Sequence, residues 1–231
     1  MILSYGDFLQ ALLQAGFSMG GGNNEGIYSI VNWNWNEEPP YSTPVRWHTG
    51  DKETDPWEWR MRVLEERDDI AYGKFFFNKG GFVTKEWLPF FLAARHGGSM
   101  FLHEYQEGHY SQMSKRIYEL IYQKKTVAAH DIKPSLELSK EEQKDMEKAL
   151  VELQMGLFIV IGGRQQKRSI AGEPYGWSST VFTTTEHYFG ESTFCEARRI
   201  PRKDAFAQIE AQIMLLNPDS TPKKRSKFIL G

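Results

Sequence analysis

Apolar residues recur along this chain at two periods, and the switches between them set the expected elements. Phe8, Leu9, Leu12 and Leu13 form a helical stripe between Ser4, which can cap, and Gly16, which can close, so a helix is expected from Ser4 to Phe17. Asp55-Pro56-Trp57-Glu58 opens a second helix: Asp55 caps, Pro56 suits the first helical position and Glu58 completes a capping box. That helix is expected to end near Glu66 or Arg67. Ile70 to Phe77 and Gly81 to Thr84 flank Asn78-Lys79-Gly80 and predict a hairpin. Thr84 then caps a helix through Trp87, Leu88, Phe91 and Leu92, closed by Gly97-Gly98. Pro89 argues for a later start.

In the second half, Met113, Ile117, Leu120 and Ile121 fall on one helical face. Thr126 to Ile132 predicts a short second helix, stopped by Pro134. Ser139-x-x-Glu142 is a capping box that opens a third helix, with Met146, Ala149, Leu150 and Leu153 pointing one way and Gly156 at its end. Leu157 to Ile161 reads as a strand, Gly162 to Glu173 as a polar loop, and Ser179 to Thr185 as a returning strand rich in β-branched residues. Helix, short helix, helix, strand, loop, strand is the order of a winged helix, whose third helix would be the recognition helix. Pro201 opens a last helix with Phe206, Ile209, Ile213 and Leu216 on one face, and Lys223-Lys224-Arg225-Ser226-Lys227 follows as a basic tail.

The expected fold is therefore α+β and predominantly helical, with winged-helix modules in tandem. Residues 1–105 form an N-terminal helical region whose hairpin belongs to a first winged-helix-like unit. Residues 106–192 form the winged helix, and 193–231 a helix and basic tail packed on the rest.

Composition narrows the partners. The net charge of -2 argues against a protein that coats a polyanion, because affinity for phosphates comes mostly from Lys and Arg, so any nucleic-acid face must be local. Aromatic residues, 14% of the chain, fill a core readily and also offer flat groups on which bases stack. The lone Cys195 cannot form an internal disulfide and reads as structural, and no charged-then-apolar leader starts the chain; both point to the cytoplasm. No apolar run approaches the ~18 residues that span a bilayer, so no membrane is expected.

The candidate DNA contacts follow from the third helix and the loop after it. Lys140, Lys144 and Lys148 step by one helical turn opposite the apolar stripe, and the wing loop adds Arg164, Gln165, Gln166, Lys167 and Arg168 with no acid among them. Phosphate contacts would position such a module on double-stranded DNA, and Gln or Arg would read base edges. Glu141, Glu142, Asp145, Glu147 and Glu152 share the helix, so a solvated or partner-binding face is the competing reading.

Gly20-Gly21-Gly22-Asn23-Asn24 reads as a linker, and Asn32-Trp33-Asn34-Trp35-Asn36, followed by Pro39, Pro40 and Pro44, as an extended segment. His103 and His109 lack the spacing of a zinc helix, and no P-loop, G-x-S-x-G or dinucleotide fingerprint occurs, so neither metal nor cofactor is expected. Glu65-Glu66, Asp68-Asp69 and Asp55 are acid candidates. An Asp beside Trp57 and Trp59 could serve as a general base, but the helix cap is its plainer role.

Trp47-His48-Thr49-Gly50, Thr54-Asp55-Pro56-Trp57-Glu58-Trp59-Arg60, Ile70-Ala71-Tyr72-Gly73-Lys74-Phe75-Phe76, Leu150-Val151-Glu152-Leu153-Gln154-Met155 and Tyr175-Gly176-Trp177-Ser178-Ser179-Thr180-Val181-Phe182 together resemble a bacterial family related to the DNA glycosylase AlkZ, also called YcaQ. The resemblance implies tandem winged helices cradling DNA, with base excision on alkylated or cross-linked bases as the ancestral chemistry. The glycosylases hold their hydrolytic water with a Gln-x-Gln or Gln-x-Asp pair early in the chain, and this chain has no such pair near its start. Asn34-x-Asn36, followed by Glu37 and Glu38, is the nearest amide pair at that spacing, while Gln165-Gln166 is adjacent and lies in the wing. An amide pair orients water but is a poor base, so Glu37 or Asp55 would supply the carboxylate. Three readings follow: a DNA-binding protein of glycosylase-related ancestry acting in DNA repair, a non-catalytic winged-helix regulator or protein-interaction module, and a small-molecule enzyme with an aromatic pocket.

Overall fold

The computed structural model describes residues 1–21, 26–31, 38–168 and 172–231. Its first half contains α1 (Tyr5–Ala15), β1 (Phe17–Met19), α2 (Pro56–Glu66), β2 (Ile70–Phe76) and β3 (Lys79–Thr84). Helices α3 (Leu88–His96) and α4 (Phe101–Gln106) lead into α5 (Gln112–Lys124), β4 (Thr126–Ala128), α6 (Ala129–Ser135), α7 (Gln143–Met155), β5 (Ile159–Arg168) and β6 (Pro174–Thr184). Four helices close the chain: α8 (Thr185–Phe189), α9 (Ser192–Arg198), α10 (Arg202–Leu216) and α11 (Pro222–Leu230).

The two halves repeat one plan. In each, a helix runs into a short strand, and a later helix runs into a hairpin whose return strand pairs antiparallel with that short strand. Phe17 lies opposite Val83 in the first half, and Val127 opposite Phe182 in the second. The outgoing strands then meet at Tyr72 and Ile161, so the described strands form one antiparallel sheet ordered β1-β3-β2-β5-β6-β4. Read from either edge, the order is short strand, return strand, outgoing strand. The fold is α+β with helices predominating.

Local chemistry accounts for the elements. Ser4 Oγ accepts the Asp7 N–H at 3.3 Å to start α1, and Gly16 ends it in the left-handed region at φ 83°. A side chain at Gly16 would be strained twice, because its Cβ would sit 2.1 Å from the Trp87 ring. At the first hairpin the expected turn moves one residue earlier. Phe76 pairs with Lys79, and the turn residues Phe77 and Asn78 take φ 52° and 60°, as a two-residue I′ turn requires. Phe77 accepts that backbone while its ring packs 6.3 Å from Phe228. Helix α3 starts at Leu88, which leaves Pro89 in the first turn, where its missing N–H costs nothing.

Three other expectations are corrected. Thr126 to Ala128 is strand rather than helix: Lys125 breaks α5 at φ 65°, and the next three residues pair with β6. Helix α6 begins only at Ala129 and carries Pro134 in its last turn. The polar loop from Gly162 is mostly strand, since β5 runs to Arg168 and β6 begins at Pro174. A two-stranded ribbon needs only cross-strand hydrogen bonds, so polar residues build it without an apolar face. Finally, the basic run Lys223 to Lys227 lies inside α11, capped by Thr221 and anchored by fully buried Phe228 and Ile229.

The aromatic residues are mostly core. Trp59 stacks on Phe8 at 5.2 Å, and Phe228 of α11 stacks on Phe76 of β2 at 3.8 Å with the rings 10° apart. Arg95 clamps the same helix end, donating Nε to Ile229 O at 3.0 Å and Nη2 to Phe228 O at 3.1 Å. Among the described residues no helix is long and apolar enough to cross a membrane.

Candidate nucleic-acid interface

Helix α7 displays the lysines as its periodicity requires. Met146, Ala149, Leu150, Leu153 and Gln154 are buried, while Lys144 and Lys148 are exposed on the other side. Lys140 is exposed in the turn before the helix, where Ser139 N–H donates to Glu142 Oε2 at 2.9 Å and Ser139 Oγ accepts the Glu142 N–H at 3.3 Å. This reciprocal box holds the Glu142 carboxyl below its usual range, first through the Ser139 backbone N–H and then through its hydroxyl. Glu142 also reaches Arg116 at 3.2 Å, and Glu152 accepts from Ser114 Oγ at 3.3 Å. These two acids are thus turned toward α5. Lys148 pairs loosely with Glu152 at 3.6 Å, while Lys140 and Lys144 make no ion pair among the described residues.

The ribbon is the second element. Among the described residues, other strands flank β5–β6 at its base: β2 meets β5 at Ile161, and β4 meets β6 from Val181 to Thr183. Beyond that point Arg164 pairs with Thr180, Gln165 with Ser179 and Lys167 with Tyr175, and among the described residues each strand pairs only with the other. Among the described residues the distal ribbon is two-stranded.

The predicted wing residues do not all share one task. Gln166 is structural: its Nε2 donates to Tyr175 O at 3.0 Å and Gly176 O at 2.6 Å, and its Oε1 accepts from Ser178 Oγ at 2.9 Å. Arg164 turns to the first half, reaching Glu58 at 3.4 Å and Glu65 at 3.6 Å on α2. Gln165 is exposed and Lys167 is unpaired among the described residues. Arg168 lies in β5, and its side chain lies outside the description. Sequence reading missed Tyr175, which is 54% exposed opposite Lys167. Its alternation across a polar ribbon would have marked it, had that segment been read as strand.

The acid candidates fall into place as structure. Asp55 is fully buried and accepts N–H groups from Trp57 at 2.8 Å, His48 at 3.1 Å and Gly50 at 2.9 Å. It is the cap of α2 and the tie that folds the preceding loop. Glu65 meets Arg164, Glu66 meets Arg62 at 2.8 Å, and Asp69 accepts from Arg67 at 2.7 Å, a bond that lowers the Asp69 carboxyl. Asn34, Asn36 and Glu37 lie outside the described residues. Cys195, read as structural, is exposed on α9, where Arg198 Nη2 donates to its sulfur at 3.0 Å.

A polar cleft of about 520 Å³ opens near the C-terminal ends of α3 and α7. Its polar groups largely satisfy one another. His109 Nδ1 lies 2.8 Å from Glu104 Oε2, Arg202 Nη2 donates to Arg95 O at 2.8 Å, and Arg95 holds the backbone of α11. His96, at 7% exposure, has Nε2 3.1 Å from Gly156 O and its ring stacked on Phe158 at 4.6 Å, while Nδ1 has no partner among the described residues. Burial drives its pKa down to about 4.

A sequence model of the family described as AlkZ related matches residues 2–230. No curated protein and no solved structure matches the chain. Nearly the whole length, including both repeats of the sheet plan and the ribbon between β5 and β6, therefore belongs to the AlkZ-related family.

Proposed function

We propose that this protein binds duplex DNA through tandem winged-helix modules, with α7 and the β5–β6 ribbon of the second module as the principal contact. The observation that carries this reading is the order α5-β4-α6-α7-β5-β6 with β4 paired to β6. That is the plan in which a third helix enters the major groove and a ribbon lies alongside. In this reading Lys144 and Lys148 on the helix, Lys140 in the turn before it and Lys167 on the ribbon would contact phosphates, Gln165 a base edge or sugar, and Tyr175 would stack or contact phosphate. The first module repeats the plan through α2, whose exposed Trp57 carries Arg60 stacked 3.4 Å over its ring.

Membership of the AlkZ-related family supports descent from a stock shared with DNA glycosylases, and with it a part in DNA repair. Any base excision would fall to Asn34, Asn36 and Glu37, since Asp55 spends both carboxylate oxygens on backbone N–H groups. Excision retained in Asp55→Asn and abolished in Glu37→Gln would bear this out; full activity in Glu37→Gln would refute it.

The binding reading is tested at the ribbon. Lys167→Gln with Tyr175→Ala is expected to weaken duplex binding about tenfold across unrelated sequences, as loss of one phosphate contact and one ring contact implies. Unchanged affinity would remove the ribbon from the interface.

A further inference from the structure

A second cavity, of about 160 Å³, lies on the far side of α5 between that helix, the start of α4 and the first turn of α8. Its volume is large enough to hold one aromatic ring, close to the ~150 Å³ at which an engineered protein cavity takes up benzene. Tyr118 and Tyr122 line it with their rings stacked 6.0 Å apart, and Tyr122 stacks in turn on His187 at 4.8 Å. Leu102 and Tyr122, 46% and 43% exposed, make an apolar rim.

Glu186 sits among these apolar walls at 5% exposure. Its Oε1 accepts from the Tyr118 hydroxyl, while Oε2 has no hydrogen-bond partner among the described residues. Buried carboxylates are almost always fully paired, because an unmatched oxygen carries its whole desolvation cost. Glu119 lines the cavity beside it, and only partly neutralises itself on Lys115 at 3.7 Å. Glu191 adds further negative field, which His187 opposes. Rings on the walls and an unmatched carboxylate at the base are the complement of a flat cation: ring faces attract positive charge, and the free oxygen accepts an N–H.

We propose that this cavity is a binding site for a single-ring organic cation of the amidinium or aminopyridinium class, its ring against Tyr122 and its N–H donated to Glu186 Oε2. The site is separate from the α7 face and does not depend on the DNA reading. Burial holds the Glu186 carboxyl above its usual range when the cavity is empty, and a bound cation would supply the counter-charge that keeps it ionised.

The test is titration of the full chain with benzamidinium, followed by ligand-observed NMR. Benzamide, the neutral isostere, serves as control. Saturable binding is expected with Kd on the order of 1 mM, and benzamide about tenfold weaker or worse, as loss of a charge-assisted hydrogen bond implies. Glu186→Gln keeps an acceptor for Tyr118 and is expected to lose at least about tenfold in benzamidinium affinity. Tyr122→Ala removes a half-exposed ring, spares the fold and is expected to lose binding as well. Absence of saturable binding to the parent chain, equal affinity for benzamide, or parent-like affinity in Tyr122→Ala would overturn the proposal.

Discussion

Lowering pH from neutrality should destabilise this protein through His96 in particular. The ring is buried, stacked on Phe158, and has one nitrogen near Gly156 O and the other without a partner among the described residues. A protonated imidazolium there would place a charge and a second donor where nothing receives them. Burial therefore lowers the folded-state pKa from 6.5 to about 4. Between those values the unfolded chain binds a proton that the folded chain refuses, so stability falls as pH falls. The contribution is fully present above 6.5 and is lost progressively on the way down to about 4. At about 1.4 kcal/mol per pH unit, the loss between about pH 7 and about pH 5 is about 2 kcal/mol. Urea unfolding at the two pH values measures it, with His96→Gln as reference. Gln retains a donor for Gly156 O and does not titrate, so comparing pH slopes cancels most of the other groups. The parent is expected to lose about 2 kcal/mol more than the variant over that interval. Equal pH dependence in both would refute the assignment of a neutral, desolvated His96.

Three more predictions rest on single contacts. Gln154 of α7 accepts the Lys74 N–H of β2 at 3.0 Å, so Gln154→Leu is expected to cost about 1–3 kcal/mol while thermal unfolding stays one transition; two separate transitions would show that the halves melt independently. Phe228→Ala is expected to cost about 3–5 kcal/mol in denaturant unfolding, because α11 loses its stacked anchor on Phe76; a loss below about 1 kcal/mol would mean that α11 is not integral to the core. Asp55→Ala removes a cap and orphans two further loop N–H groups, an expected loss of about 2 kcal/mol; a neutral result would detach the 46–55 loop from α2.

Legibility in the sequence followed from how local each signal was. Helices with contiguous caps and stripes, such as α1 with Ser4 and Gly16, were readable because every stabilising partner lies within a few residues; the Ser139–Glu142 box also forms, but in the turn before α7, which begins only at Gln143. Short strands were not. Phe17–Met19 and Thr126–Ala128 are strands only because β3 and β6, more than fifty residues away, offer them hydrogen bonds. The ribbon was misread for a related reason: residues Arg164 to Lys167 are polar on both faces, so no period of two marks them.

The same limit governs the site. Sequence spacing put Lys144 and Lys148 on the exposed face of α7, but Lys140 falls in the turn before it, and spacing could not show that Gln166 braces the ribbon or that Arg164 is drawn to Glu58 and Glu65. The buried Glu186, with Tyr118 and Tyr122 beside it, joins two elements far apart in the chain and had no local signature at all.

The central claim, a phosphate-contacting face on α7 and the ribbon, is tested most directly by duplex-DNA anisotropy across a salt series. The parent chain is compared with a variant carrying Gln at Lys140, Lys144, Lys148 and Lys167. Each phosphate contact contributes about 0.9 to the log–log slope, so the variant's slope is expected to be flatter by about 3 to 4, with affinity reduced at every salt concentration. No binding by the parent at low salt, or identical slopes in the two proteins, would contradict the claim.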